Sequence, residues 1–200
     1  MTDEPKPPVI IKAFPPPEEY REAENEFLRA LGLCVSQWAF VDRQLFRLFR
    51  FGLQAATHRA ALIYYTPKTL SQRVQSVDRL FEQNLPADQY EADWKPLCKR
   101  LDDLIPVRNV FVHHPTRRLH AAKDGKPIYE YAIHIEPYER LFLKTKPRGL
   151  KGKTEIDVDD LKKHAEAVND LEQDLIGLVK SLALGTARSF LDGYAARMAT

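Results

Sequence analysis

Apolar residues recur at three- and four-residue steps from Leu31 through Cys34 or Val35, Trp38, Val41 and Leu45 to Leu48 or Phe49. This period of 3.6 gives one continuous amphipathic helix rather than a strand. Acidic Glu18, Glu19, Glu22 and Glu24 precede the stripe and suit the positive end of a helix dipole. The spacing therefore predicts a long helix from about Glu18 to Phe51. Gly32 inside it either costs about 1 kcal/mol relative to alanine or marks a close helix contact. A chain built on such a helix must cover its apolar stripe with further helices or a sheet.

The rest of the sequence supplies mostly helices. Ala55 to Tyr65 reads as a short helix. Thr66-Pro67 reads as a cap followed by proline at the first helical position, with Leu70, Val74, Val77 and Phe81 as the next stripe. Asn84-Leu85-Pro86 should end it. Trp94, Leu97, Leu101 and Leu104 or Ile105 carry another long helix, which Pro106 should kink or restart. His114 precedes Pro115, a position that disfavours helical geometry, so this helix should end near His113. A change of period follows. Arg117–Ala122 and Ile128–Glu136 flank Lys123-Asp124-Gly125-Lys126, and Asp-Gly between strand-like runs signals a hairpin. A last helix should start near Asp157 and carry Leu161, Val168, Leu171, Leu175, Val179 and Leu182, with Gly185-Thr186 as a candidate break. Residues 1–17 hold six prolines and predict an extended arm. The expected fold is all-α: four or five main helices in a single domain over residues 18–200, with a hairpin and loop inserted at about 116–153 between the last two long helices.

Several classes drop out early. No run approaches the ~18 apolar residues needed to span a bilayer. The acidic, proline-rich start is unlike a secretory signal. Cys34 and Cys98 lack CxxC spacing and read as buried thiols of a reducing, cytoplasmic protein. Charge is uneven. Arg108 to Lys153 holds eleven Lys/Arg against four acids, a local +7, between acid-rich ends. That pattern predicts one cationic surface, with Arg117, Arg118, Lys151 and Lys153 as the residues that would carry it.

The stretch Val107-Arg108-Asn109-Val110-Phe111-Val112-His113-His114 sets a cation, an amide and an imidazole inside an apolar run. Buried polar groups need partners. One reading is structural: Arg108 pairs with Asp102 or Asp103, and His113 caps its helix. The other is chemical. Arginine offers a fork of donors for phosphate oxygens, and histidine passes protons near neutrality. Five residues rotate about 140° beyond one turn, so a kink, a fraying end or a second subunit is needed to bring Arg108 and His113 together. Asp42, one turn after Trp38, and His114 are accessory candidates. His120 and His134 could face each other across the hairpin. No metal-ligand spacing, P-loop or nucleophile elbow is present, so neither a metal nor a cofactor is expected.

Arg-Asn-x-x-x-His at the end of a penultimate long helix resembles the HEPN superfamily, with Arg108, Asn109 and His113 matching its motif. The order of helices is similar over roughly residues 18 to 184. The resemblance implies a symmetric homodimer whose motifs share a cleft, and metal-independent endoribonuclease activity of the kind found in toxins and phage defence. His113 would be the general acid or base, Arg108 the phosphate stabiliser and Asn109 the orienting group. The implied partners are RNA and, for toxin-like members, an antitoxin protein. Pro115 stands where members paired with a nucleotidyltransferase antitoxin carry tyrosine, which argues against that pairing. The alternatives are a catalytically silent RNA- or nucleotide-binding module and a helical interaction protein.

Overall fold

The computed structural model describes residues 18–113, 116–123, 126–134 and 155–198. Five main helices account for most of it: α1 (Glu18–Leu53), α2 (Thr57–Tyr64), α3 (Leu70–Asn84), α4 (Lys95–His113) and α5 (Val158–Met198). A single turn at Ala87–Gln89 and a π-turn at Tyr90–Trp94 lead into α4. Three strands lie between α4 and α5: β1 (Thr116–Lys123), β2 (Lys126–His134) and β3 (Glu155–Ile156), antiparallel in the order β1-β2-β3. The expected arm, the basic loop around Lys151 and Lys153, and His114 lie outside the described residues.

The spine is α1, which packs along α5 and also meets α2, α3 and β2. Its predicted stripe is the core line: Cys34, Trp38, Val41, Leu45, Leu48 and Phe49 are buried, joined by Phe27. Opposite them α5 buries Leu161, Val168, Leu171, Leu175 and Leu182. Each such large side chain contributes roughly 1.5–3 kcal/mol relative to exposure. The helix closes at Gln54, whose φ of 51° is the left-handed end usually taken by glycine. Of the three phenylalanines off the main stripe, Phe40 is exposed. Phe46 is half-buried under Tyr64 and Tyr65, with ring centroids at 5.5 and 5.6 Å, and Phe51 is half-buried against the core.

Several local expectations change. The cap of α3 is Thr69, not Thr66. Thr69-Leu70-Ser71-Gln72 forms a capping box, with Gln72 N–H donating to Thr69 Oγ1 and Thr69 N–H to Gln72 Oε1, both at 3.2 Å. Thr66 instead turns its hydroxyl back to the Leu62 carbonyl at 2.7 Å. Second, of the kink or restart expected at Pro106, the restart does not occur, and α4 runs through the proline. Leu101, Ile105, Val107 and Val110 around the proline are buried, and that packing holds the turn despite the lost N–H. Third, α5 continues past Gly185-Thr186 to Met198. Fourth, the hairpin register pairs His120 with Tyr129 and His134 with Glu155, so the two histidines do not face each other. The hairpin itself is as expected, with Lys123 opposite Lys126. The two-residue strand β3 was not foreseen. It pairs Ile156 with Ile133, and both side chains enter the core. Cys34 is buried but Cys98 only half so.

The start of α5 is capped by Asp157, whose carboxylate accepts the Asp160 N–H at 2.8 Å. Among the described residues, no helix is long and apolar enough to cross a membrane.

Two glycines of α1 have opposite reasons to exist. A Cβ on Gly52 would meet Leu80 Cβ at 3.2 Å and the buried Phe81 ring at 3.3 Å, so Gly52 sets the close approach of α1 to α3. A Cβ on Gly32 would meet nothing within 4 Å. No close contact at Gly32 therefore offsets its helix cost. Gly52→Ala should destabilise by about 1 kcal/mol or more through overpacking. Gly32→Ala should stabilise by about 0.5–1 kcal/mol. Thermal unfolding of the two variants should shift in opposite directions, and a parallel shift contradicts this account.

Candidate nucleic-acid cleft

Arg108, Asn109 and His113 open onto one cavity of about 570 Å³ between α1, α3 and α4. The separation of five residues does not prevent this. Ile105, Asn109 and Val112 form the middle of the α4 wall, and Arg108 and His113 stand at its two margins. On a regular helix that arc is about 140° wide. The arginine and the histidine bracket the cleft rather than stack, so no kink or frayed end is required.

From α1, Val35, Trp38, Ala39 and Asp42 face the cleft, at helical steps of three and four. The loop before α3 and its first turn add Lys68 and Arg73. Asp42 is the expected accessory residue, and both its carboxylate oxygens are engaged. Tyr64 Oη donates to Oδ1 at 2.7 Å and Arg73 Nη1 to Oδ2 at 2.9 Å. Arg73 is fixed further by Nε donating to the Pro67 carbonyl at 3.3 Å, and its guanidinium lies 5.1 Å from the Tyr65 ring centroid. Asp42 is thus a holding group for Arg73. It is not a free base.

Arg108 does not follow the structural reading in which it pairs with Asp102 or Asp103. Its Nη1 donates to Asn109 Oδ1 at 3.1 Å, and among the described residues it forms no ion pair. Burial lowers the Arg108 pKa. The Asp42 carboxylate opposes that shift, and the Arg73 charge adds to it. A guanidinium remains charged despite such a shift. Three cations, Lys68, Arg73 and Arg108, face one carboxylate, so the cleft walls carry a net +2. His113 is exposed at the rim, next to Val112 at 40% exposure.

The motif is seated from below by a buried junction. Trp38 Nε1 donates to His164 Nε2 at 3.0 Å, and the His164 ring meets Phe111 edge-on at 5.1 Å between centroids. Trp38 lines the cleft, Phe111 lies inside the Arg108–His113 stretch, and His164 belongs to α5. Accepting from Trp38 requires a neutral imidazole, and burial pushes the His164 pKa down to about 4.

Burial raises both thiols to about 11, so Cys34 and Cys98 stay protonated. Among the described residues, no group of three or more His, Cys, Asp and Glu gathers as a metal site would require. A larger cavity of about 680 Å³ near Gly52, Phe81 and Asn84 has no charged side chain on its walls.

Of the residues singled out in the sequence, Arg108, Asn109, His113 and Asp42 come together. Arg117 and Arg118 lie on β1, and their side chains are outside the described residues, as are His114, Lys151 and Lys153. Lys68 and Arg73 were not anticipated. They flank the Thr69 capping box, and only the packing of α3 on α1 brings them to the motif. Comparison with protein-family models, with curated proteins and with solved structures returns no match.

The junction makes stability depend on pH with a definite sign. Unfolded, the His164 imidazole takes up a proton below about 6.5; folded, only below about 4. Between these values the unfolded chain binds more protons, so stability falls as the pH drops. From pH 7 to pH 5 this one group should remove about 2 kcal/mol. His164→Gln keeps an acceptor for Trp38 and lacks the titration. Urea unfolding at the two pH values should show a smaller difference for the variant than for the wild type, and equal differences would exclude His164 as the source.

Proposed function

We propose that this chain is a metal-independent endoribonuclease of HEPN type that works as a homodimer. The observation that carries the reading is the bracketing of one cationic cleft by Arg108 and His113, with Asn109 between them. A cleft of net positive charge attracts a phosphodiester. Arg108 supplies donors to its non-bridging oxygens, where charge accumulates in the transition state. Asn109 accepts from Arg108 and so sets the plane of that fork.

His113 takes the proton of the ribose 2′-hydroxyl as that oxygen attacks phosphorus. The 5′-oxygen leaves and picks up a proton, giving a 2′,3′-cyclic phosphate and a 5′-hydroxyl. One imidazole serves one of these transfers at a time. In a two-fold dimer with a shared cleft, His113 of the partner subunit supplies the other. Exposed apolar side chains favour such pairing: Val35 and Val112, which line the cleft, are 51% and 40% exposed, and Leu28 and Phe40 on α1 are 47% and 45%. The resemblance puts such an enzyme among toxins or phage-defence proteins, with an antitoxin as a further partner, and the free thiols Cys34 and Cys98 suit a reducing, cytoplasmic setting.

The test is RNA cleavage in the presence of chelator. Wild type should retain activity. His113→Ala should lose about 10²–10⁴-fold in rate, typical of a lost proton transfer, while still binding RNA. Arg108→Ala should lose binding as well as rate. Full activity of His113→Ala removes the catalytic reading. Binding without cleavage by wild type, across varied RNAs, leaves a silent RNA-binding module. Light scattering at micromolar concentration should give a dimer mass, and a monomer would count against the shared cleft.

A further inference from the structure

We propose that Arg43, Arg47 and Arg50 on α1 form a second anion-binding site, a track for the backbone of single-stranded RNA running past the cleft. The proposal rests on the ribonuclease reading for its ligand and on separate residues for its site.

The three arginines line a cavity of about 430 Å³ between α1 and α5, floored by Phe46, Phe51 and Leu182. They stand at steps of four and three, so their side chains neighbour one another along the helix. Like charges at such spacings destabilise a helix by about 0.2–0.5 kcal/mol per pair. A merely solvated face would interleave acids. Here the only acid from Phe27 to Leu53 is Asp42, which Arg73 and Tyr64 already hold. Among the described residues none of the three pairs with a carboxylate. Arg47 donates to Gln44 Oε1 and Arg50 to Thr57 Oγ1, both at 3.0 Å. These neutral acceptors orient the guanidinium groups without cancelling their charge. The helix dipole favours a cation only in the last turn, so it accounts for Arg50 and not for Arg43.

Position ties the row to the cleft. Val35 and Ala39 line the cleft, and Arg43 and Arg47 continue the same i, i+4 ridge. Arg43 to Arg50 spans about 10 Å of helix axis. A strand held at Arg108 can therefore lay its next phosphates on this ridge. The half-buried Phe46 and Phe51 beneath offer an apolar floor to a base, as single-strand sites do.

The experiment compares 2′-O-methyl oligouridylates, which bind but cannot be cleaved, of three and twelve nucleotides. Wild type is set against the triple variant Arg43→Gln, Arg47→Gln, Arg50→Gln, with equal thermal unfolding as the control on folding. For the twelve-mer the triple variant should lose at least tenfold in affinity at low salt. The slope of log affinity against log salt should fall by about 2, from roughly 0.7 per lost phosphate contact. The three-mer, too short to leave the cleft, should bind both proteins alike. An unchanged twelve-mer slope in the triple variant, with Arg108→Ala still weakening binding, overturns the track and leaves the cleft standing. Failure of wild type to bind either length removes the ribonuclease reading and the track with it. Polyglutamate binding that is lost in the triple variant, with RNA binding unaffected, would make the row a protein-docking surface instead.

Discussion

The hydrogen bond from Trp38 to His164, with Phe111 against the same imidazole, is the contact on which the site depends. It joins three helices that are far apart in sequence and do so directly under the cleft. Trp38 looks into the cleft from α1, Phe111 is part of the polar stretch of α4, and α5 contributes the acceptor. A buried donor left without an acceptor costs about 1–3 kcal/mol, so the junction tolerates little sliding of α1 against α5. Packing on Phe111 likewise limits rotation of the last turns of α4, and it is that rotation which keeps Arg108 and His113 on either side of one opening. The polar residues of the motif point outward because the apolar ones between them, Val107, Val110 and Phe111, are anchored inward.

A second device fixes the opposite wall. Asp42 binds Tyr64 through one oxygen and Arg73 through the other, so α1, α2 and α3 meet at one carboxylate. The guanidinium of Arg73 is thereby presented to the cleft at low conformational cost, with the Tyr65 ring beneath it. This comes at the expense of Arg108, which burial and the charge of Arg73 both disfavour. An assembly selected for stability alone would place a carboxylate beside Arg108. The structure gives it the neutral Asn109 instead, and an arginine held by an amide keeps its charge available to an incoming anion.

The helices were legible because their stripes are long and strictly periodic, and α1 and α5 could be followed residue by residue. Boundaries were less so. Thr66-Pro67 and Thr69-x-x-Gln72 are both plausible caps three residues apart, and two reciprocal hydrogen bonds favoured the second. Gly185-Thr186 did not stop α5, since one glycine costs a helix only about 1 kcal/mol. The strand Glu155–Ile156 is too short to carry a pattern and exists because Ile156 can reach Ile133. At the site, Arg108, Asn109, His113 and Asp42 could be named from spacing and chemistry. Lys68 and Arg73 could not, because nothing local distinguishes them from other surface cations. Their role arises only from how α3 crosses α1, and Gly52, which permits their close approach, has no side chain to signal what it would lie against.

The arginines on α1 invert the usual relation between helix stability and surface charge. A helix of 36 residues with a buried face does not need favourable i, i+4 pairs to persist, since tertiary packing supplies most of its stability. It can therefore carry like charges in succession where an isolated helix could not. The same holds in the cleft, where three cations converge on one acid. In both places the fold sustains an electrostatic cost next to surfaces that are open to solvent, and in both places phosphate would relieve it. An anion bound there would stabilise the folded chain by mass action, in proportion to the logarithm of its concentration above the dissociation constant. The α1 ridge from Val35 to Arg47 joins one wall of the cleft to the arginine row, so a single strand that relieved the cost at one would reach the other.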